Sequence, residues 1–359
     1  MKILAIDLGK YNSVACLFDT ATNQSEFETI TTQRWAFEQL LTQTKPDQIV
    51  METSSITGWV HDFCQSLGYP VLVANPSAEA WRWKNVKRKT DKDDALKLAK
   101  LTALEQVSAV HVPMAERRQY RLLVKYRKTL VNRINRIQNH IRALFDQQGI
   151  SIPGGHKAWT AAGIETLSQY RKPLAECQLD EFWRGELDLE LQSLDALWQQ
   201  LQQVDDQLEK VAQQDEQVQL LQTIPGVGRR TAEVIVVALD NPHRFKNARQ
   251  VSAYAGLVPD QRQSGQTNRL GRITCRGSRI LRSALVEVAW VMLRYNPWAE
   301  SIYQRICGGQ KTRKKIAIIA VARKLLVRCW AMLRHKQPWQ ENPSSLDTST
   351  SPSSQSIRA

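Results

Sequence analysis

Four carboxylates stand out by where they fall in the chain. Asp7 closes the apolar run Ile3-Leu4-Ala5-Ile6 and is followed by Leu8-Gly9, Glu52 closes Ile49-Val50-Met51, and Asp91 and Asp94 open a later segment at a spacing of three. On a helix that spacing is one face. If the two apolar runs are neighbouring parallel strands, Asp7 and Glu52 stand side by side, and a helix packed across that edge adds Asp91 and Asp94. Four converging carboxylates repel one another unless a divalent cation sits among them, and hard oxygen ligands suit Mg2+ or Mn2+. Two such ions can activate a nucleophile and stabilise a departing oxygen at phosphorus. Taken singly, each acid has a plainer reading. Asp91 is a helix N-cap with Asp94 as its N3 acid, and Asp7 before Leu8-Gly9 is a turn residue. Asp93 lies about 100° from Asp94 around a helix and is expected to face solvent.

The elements that must position these acids follow from the pattern. Residues 2–7, 13–18 and 26–31 read as strands, 33–43 as a helix, 48–52 as a strand, 55–67 as a helix and 70–73 as a strand, with a further helix starting near Thr90-Asp91. Strands followed by alternating strand and helix predict a mixed sheet with helices on its faces. The middle of the chain changes period. Tyr120, Leu123, Leu130, Ile134, Ile137, Ile141 and Leu144 form a heptad seam broken only at Arg127, and Leu187, Leu191, Leu194, Trp198, Leu201, Leu208 and Val211 form a second one. The pair predicts an antiparallel helical hairpin or coiled coil. A Ser/Thr/Pro-rich tail over 341–359 is expected to be disordered.

Charge narrows the class of partner. The chain has 359 residues, enough for two or three domains, and its 49 Lys and Arg against 35 Asp and Glu give a formal net charge of +14. Such an excess favours a polyanion. No uninterrupted apolar run approaches the roughly 20 residues of a membrane-spanning helix. An acid as early as Asp7 argues against a signal peptide. Six dispersed cysteines without CxxC pairing suit free thiols in a reducing cytoplasm rather than structural zinc.

The last part concentrates the positive charge. Ile224-Pro225-Gly226-Val227-Gly228 followed by Thr231-Ala232-Glu233-Val234-Ile235 reads either as a helix-hairpin-helix element, with Gly226 and Gly228 bringing backbone N–H groups to a phosphate, or as an ordinary glycine turn between helices. Arg262, Arg269, Arg272, Arg276, Arg279 and Arg282 follow with no acid between the first and the last, and Lys311-Thr312-Arg313-Lys314-Lys315 adds a second basic block. Clustered arginines suit phosphate. Ser264, before Gly265 in this basic loop, has a hydroxyl that could attack a phosphodiester beside arginines. On chemistry alone it reads as a polar loop residue, with Ser278 and Ser283 nearby.

Ile6-Asp7-Leu8-Gly9-Lys10 also resembles the first phosphate loop of actin-like ATPases and sugar kinases, but no convincing Asp-Gly-Gly or adenosine-binding Gly-Gly loop follows, and Gly308-Gly309 lies in a basic helical context. The order Asp7-Leu8-Gly9, Glu52, then Lys89-Thr90-Asp91-Lys92-Asp93-Asp94-Ala95 resembles the DEDD transposases of the insertion-sequence "one-ten" and "eleven-eleven" type. Their C-terminal domain is similar to Pro225-Gly226-Val227-Gly228, Ala255-Gly256-Leu257-Val258-Pro259, Gln263-Ser264-Gly265 and Arg272–Arg282 here.

The resemblance implies an α/β plus all-α architecture. A RuvC-like, ribonuclease H-like domain would span 1–110, a helical coiled-coil segment 111–215, and a mostly helical transposase domain with a serine loop 216–340. It further implies metal binding by Asp7, Glu52, Asp91 and Asp94 and a nucleophilic Ser264 that links transiently to a DNA strand. Donor and target DNA and a structured non-coding RNA would be partners. The chain would act, without a membrane, as a homo-oligomer (dimer or tetramer) in a cytoplasmic, nucleoid-associated setting. Asp260, where family members often carry a small polar residue, and the extra acid Asp93 depart from the pattern. Two other readings stay open: a metal-dependent, structure-specific nuclease of the Holliday-junction kind without a serine nucleophile, and a nucleic-acid-binding protein whose acidic site has decayed.

Overall fold

Alternation along β1 (Lys2–Asp7) decides which face of the first sheet each residue joins. The computed structural model describes residues 1–75, 90–264 and 267–341, with the backbone alone at 262–264, 267, 268 and 270. Lys89 and Gly265 of the quoted motifs, the side chains of Arg262 and Ser264, and the tail 342–359 expected to be disordered therefore lie outside the described residues. Two compact units divide the chain, Met1–Arg118 and Gln119–Ala359.

The first unit runs β1, β2 (Asn12–Asp19), β3 (Ser25–Thr31), helix α1 (Arg34–Thr44), β4 (Gln48–Glu52), α2 (Thr57–Ser66), β5 (Val71–Ala74) and α3 (Asp91–Ala103). The sheet order is β3-β2-β1-β4-β5. The pairs β1–β2 and β2–β3 are antiparallel, and β1–β4 and β4–β5 are parallel. Leu4, Ile6, Ile49 and Met51 point to one face, where Phe37, Leu40, Leu41 and Val60 of α1 and α2 cover them. Ile3, Ala5 and Val50 point to the other and meet Ala95, Leu98 and Ala99 of α3. Each large side chain fully buried in this way contributes about 1.5–3 kcal/mol, so a register slip of one residue, which would exchange the two faces, is strongly disfavoured.

The second unit is mostly helical. Helix α4 (Ala115–Gln147) begins before the boundary and runs into this unit. After α5 (Ala161–Ser168) comes the equally long α6 (Phe182–Gln214). Ile134, Ile141 and Leu144 of α4 pack with Leu187, Leu191 and Leu194, while Tyr120, Val124 and Leu130 pack with Val204 and Leu208. Early residues of one helix thus meet late residues of the other, so α4 and α6 are antiparallel. Phe145, Tyr170 and Trp183 close the distal end, with Phe145 ring centroids 5.3 and 5.8 Å from the other two.

Beyond α6 lie α7 (Glu216–Gln222), α8 (Arg229–Leu239) and α9 (Ala248–Tyr254). Strands β6 (Pro259–Ser264) and β7 (Thr267–Ile273) follow, and then α10 (Arg279–Tyr295), α11 (Pro297–Cys307) and α12 (Lys314–His335). Helix α12 is the centre of this core, with Ala317, Val321, Leu325, Leu326 and Cys329 fully buried. The expected basic loop around Ser264 is instead a two-stranded antiparallel hairpin. Its strands, Pro-Asp-Gln-Arg-Gln-Ser and Thr-Asn-Arg-Leu-Gly-Arg-Ile, carry almost no apolar alternation, so the usual period-two signal is missing. No helix among the described residues is long and apolar enough to cross a membrane.

Candidate active site

The acidic set is built on one sheet edge. Ile6 is the register partner of Met51, so Asp7 and Glu52, the next residues, end adjoining parallel strands. Asp7 shares its parity with Ile3 and Ala5, and Glu52 with Val50. Strand alternation therefore turns both acids to the face that α3 covers. Asp94 is buried at the start of α3, beside Ala95 of the helix face that packs on the sheet. Asp91 stands one helical turn earlier, exposed.

The cap of α3 corrects one expectation. Thr90, not Asp91, is the N-cap. Its hydroxyl accepts from the Asp93 N–H at 3.2 Å and donates to Asp93 Oδ2 at 2.6 Å. Asp93 is the capping acid because it is the N3 residue counted from Thr90. Asp91 and Asp94 are left out of the cap.

Hydroxyl groups lock the loops that follow both strand-end acids. After Asp7, Thr32 Oγ1 donates to the Gly9 carbonyl at 2.9 Å and lies 2.8 Å from the buried Ser13 hydroxyl. After Glu52, the buried Thr57 hydroxyl donates to the Glu52 carbonyl at 3.0 Å and accepts from the Ser54 N–H at 2.7 Å. Among the described residues no group of three acidic, histidine or cysteine side chains is placed to hold an ion. The backbone brings Asp7 and Glu52 to neighbouring positions.

The second set lies in the other unit. Residues 223–228 link α7 to α8, with Gly226 at φ +91, where a Cβ would lie 2.9 Å from Met292. Gly228 is the N-cap of α8 with no side-chain cap, and nothing lies within 4 Å of where its Cβ would be. Ser264 ends β6, with Thr267 as its register partner. Arg269, Arg272, Arg276 and Arg279 are exposed, and the first three border a cleft with Asp260 and Thr274.

The base of the hairpin is held by backbone contact. Gly256 (φ +66) and Gly277 (φ +87) sit where a Cβ would fall 2.1 Å from the Arg276 carbonyl oxygen and 2.0 Å from that of Tyr254. The Thr274 N–H donates to the Val258 carbonyl at 2.9 Å. Arg282 is structural: it donates to the Ala255 carbonyl at 3.0 Å and the Arg276 carbonyl at 3.2 Å. The neighbouring serines are engaged too. Ser278 caps α10 by accepting from the Leu281 N–H, and Ser283 donates to the Ile280 carbonyl.

Sequence reasoning missed the polar network beside α8. Asp205 of α6 accepts from Arg127 Nε at 2.6 Å and pairs with Arg230 at 2.5 Å, and Arg230 reaches Glu233 at 3.0 Å. Glu233 is almost wholly buried. Burial pushes its carboxyl above the usual range, and the attraction of Arg230 offsets only part of that. The one available signal was the charged residue inside the first heptad seam. Burial pushes the thiols of Cys64 and Cys329 up to about 12 and that of Cys16 to about 11, so these three offer no rival nucleophile.

Comparison with known proteins agrees over both units. A DEDD transposase model of the IS110 type matches residues 4–149, and one described as the transposase IS116/IS110/IS902 family matches 218–304. The chain is 26% identical over 356 residues to the transposase for insertion sequence element IS1111A of Coxiella burnetii, covering 95% of this chain and 92% of that one. It is 25% identical over 335 residues to the transposase for insertion sequence element IS1328 of Yersinia enterocolitica, covering 92% and 96%. A stretch of 125 residues is 37% identical to the pilin gene-inverting protein of Moraxella bovis, covering 34% of this chain and 38% of that one. Strand-end acids in one unit and an arginine-rich hairpin in the other thus occur in a chain matched in both parts by one kind of protein, and the protein belongs to the IS110-type DEDD transposase family, as an enzyme that cleaves and transfers DNA.

Proposed function

We propose that this transposase cuts and rejoins donor and target DNA with a two-part site, in which Asp7, Glu52, Asp91 and Asp94 hold Mg2+ (or Mn2+) and Ser264 is the nucleophile. The observation that carries the reading is the shared face of Asp7 and Glu52 at the ends of adjoining parallel strands, with buried Asp94 on the helix that covers that face. The strand order β3-β2-β1-β4-β5 supports a ribonuclease H-like, RuvC-like first domain. The DEDD family points to a divalent metal, and a donor set made only of carboxylate oxygens fits a hard cation. When bound, such a cation activates an attacking hydroxyl and stabilises charge on a departing oxygen.

In this reading the Ser264 oxygen forms a bond to phosphorus, one strand P–O bond breaks, and the serine proton passes to the freed strand hydroxyl. Attack by a hydroxyl of another strand reverses the exchange and rejoins DNA. Exposed Arg269, Arg272, Arg276 and Arg279, together with Arg262, hold phosphates. The open approach to Gly228 and the uncapped start of α8 suit a helix-hairpin-helix contact with the DNA backbone. The likeness to a pilin gene-inverting protein supports rejoining as well as cutting. A structured non-coding RNA as guide, a dimer or tetramer in which acids of one subunit serve the serine of another, and association with the nucleoid complete the proposal.

The test is covalent trapping with Mg2+, labelled donor and target DNA, and RNA transcribed from the flanks of the element. Wild type is expected to form a protein–DNA adduct that Ser264→Ala and Asp7→Asn both lack. An adduct surviving Ser264→Ala would place the nucleophile elsewhere, and cleavage with no adduct would favour a plain nuclease.

A further inference from the structure

Helix α4 carries nine Lys and Arg side chains and no Asp or Glu from Arg117 to Phe145. The fold uses several of them. Arg118 pairs with Asp62, Arg121 donates to the Val237 carbonyl, Arg127 pairs with Asp205, and Arg142 donates to the Gly155 carbonyl and stacks on Trp159; Arg117 is engaged as well.

Lys125, Lys128, Arg133 and Arg136 are different: no described carboxylate pairs with any of them. Lys125, Arg133 and Arg136 are exposed, and Lys128 is half-buried. Their spacing keeps them within one side of the helix, a stripe about 16 Å long at 1.5 Å per residue, with exposed Thr129 and Asn132 between them. At its start, Lys125 shares a cleft with Tyr254, Ser278 and Arg279, so the stripe continues from the arginine-rich segment.

A second copy of the acidic helix α6 is a poor occupant. Glu186, Asp188, Asp205 and Glu209 of α6 are already paired with His140, Arg171, Arg127 with Arg230, and Arg229 of the same chain. Asp195 and Asp206 accept only from the neutral Gln199 and Gln202; the other acids of α6 are used internally, and the four cations are not.

We infer that Lys125, Lys128, Arg133 and Arg136 form a second contact surface for the phosphate backbone of substrate duplex DNA, extending the Arg279 end of the hairpin site along α4. Over the length of the stripe a duplex presents on the order of ten charges, so four contacts fit without base recognition. This rests on DNA being the substrate of the family and not on the serine or metal chemistry.

The experiment measures binding of the full-length protein to a labelled duplex of unrelated sequence across a salt series. The combined variant Lys125→Gln, Lys128→Gln, Arg133→Gln, Arg136→Gln is expected to lower the slope of log affinity against log salt by about 3 to 4, at about 0.9 per lost phosphate contact. The charge-keeping variant, with Lys and Arg exchanged at the same positions, keeps the wild-type slope, and thermal melting checks that both fold. Neither strand cleavage nor transfer enters this readout, so failure of the strand-transfer reading leaves this result unmoved. A slope unchanged in the Gln variant overturns the inference. So does an unchanged slope with a smaller assembly in sedimentation, which would make the stripe a contact between copies, or with weaker binding of a structured RNA alone.

Discussion

Arg127 donates to Asp205 at 2.6 Å from the one position where the apolar seam of α4 is interrupted. Both side chains are about a quarter exposed, and Asp205 also holds Arg230, so the break in the seam ties α4 to α6 and α8. Arg127→Ala is expected to destabilise the protein by about 1.5–3 kcal/mol, the range for a hydrogen bond to a charged group, and Arg127→Met to recover part of that through the seam. Urea midpoints measure both. If Asp205→Asn costs as much in the Arg127→Ala background as in wild type, the two residues do not couple.

Neighbouring acids of α3 should separate cleanly by role. Asp93 serves the Thr90 cap, so Asp93→Asn is expected to cost about 1 kcal/mol or less of stability and to leave strand cleavage intact. Asp94→Asn should abolish metal-dependent cleavage. Thermal melts with and without Mn2+, beside a cleavage assay, check the pair. Equal loss of cleavage in both variants would count against the assignment of Asp94.

Thr57 holds the Glu52 carbonyl with a buried hydroxyl. Thr57→Val keeps the shape and removes the donor, at a cost of about 1–3 kcal/mol for the unsatisfied groups. Displacement of Glu52 should lower the cleavage rate with DNA affinity unchanged, and Thr57→Ser should restore it. A Thr57→Val enzyme with the wild-type rate would show that the loop does not position Glu52.

Gly277 has φ +87, and a Cβ there would meet the Tyr254 carbonyl oxygen at 2.0 Å. Gly277→Ala is expected to destabilise the hairpin support by about 1–3 kcal/mol or more through strain and overpacking. Faster proteolysis or amide exchange within 255–280 is the readout. Protection equal to wild type would refute the close backbone packing.

Acid should loosen the first unit through Asp62. Burial pushes its carboxyl up, but hydrogen bonds from Arg118 and His61 outweigh that and hold it below the ordinary value of 3.8. A depressed carboxyl contributes stability that is fully present above 3.8 and is lost as the pH falls through its lower folded value. The Asp62 side chain is 40% exposed, so the contribution is under about 1 kcal/mol. Asp62→Asn should flatten the acid end of the melting-temperature profile; an unchanged profile would remove Asp62 as its cause.

Local periodicity was legible because burial imposes it. The strand run 48–52 and the starts of α1 and α3 were within a residue or two, since one-sided burial dictates both the period of two and the period near 3.6. The seam residues Leu130, Ile141 and Leu144 are buried as their spacing requires. The family could be named from the motifs around the acids at 7, 52, 91 and 94.

What sequence could not decide is anything set by contacts between distant segments. That Asp7 and Glu52 share a face follows from the register Ile6–Met51. Which of the clustered acids caps α3 follows from the backbone conformation at Thr90. The hairpin of β6 and β7 forms without an apolar pattern, because Gly256 and Gly277 let its base approach the Tyr254 and Arg276 carbonyls. Arg127 was a flaw in a heptad until α6 supplied Asp205. Sequence spacing fixes which side of its own element a residue occupies, but the partner on the facing element is chosen by the packing of the whole fold.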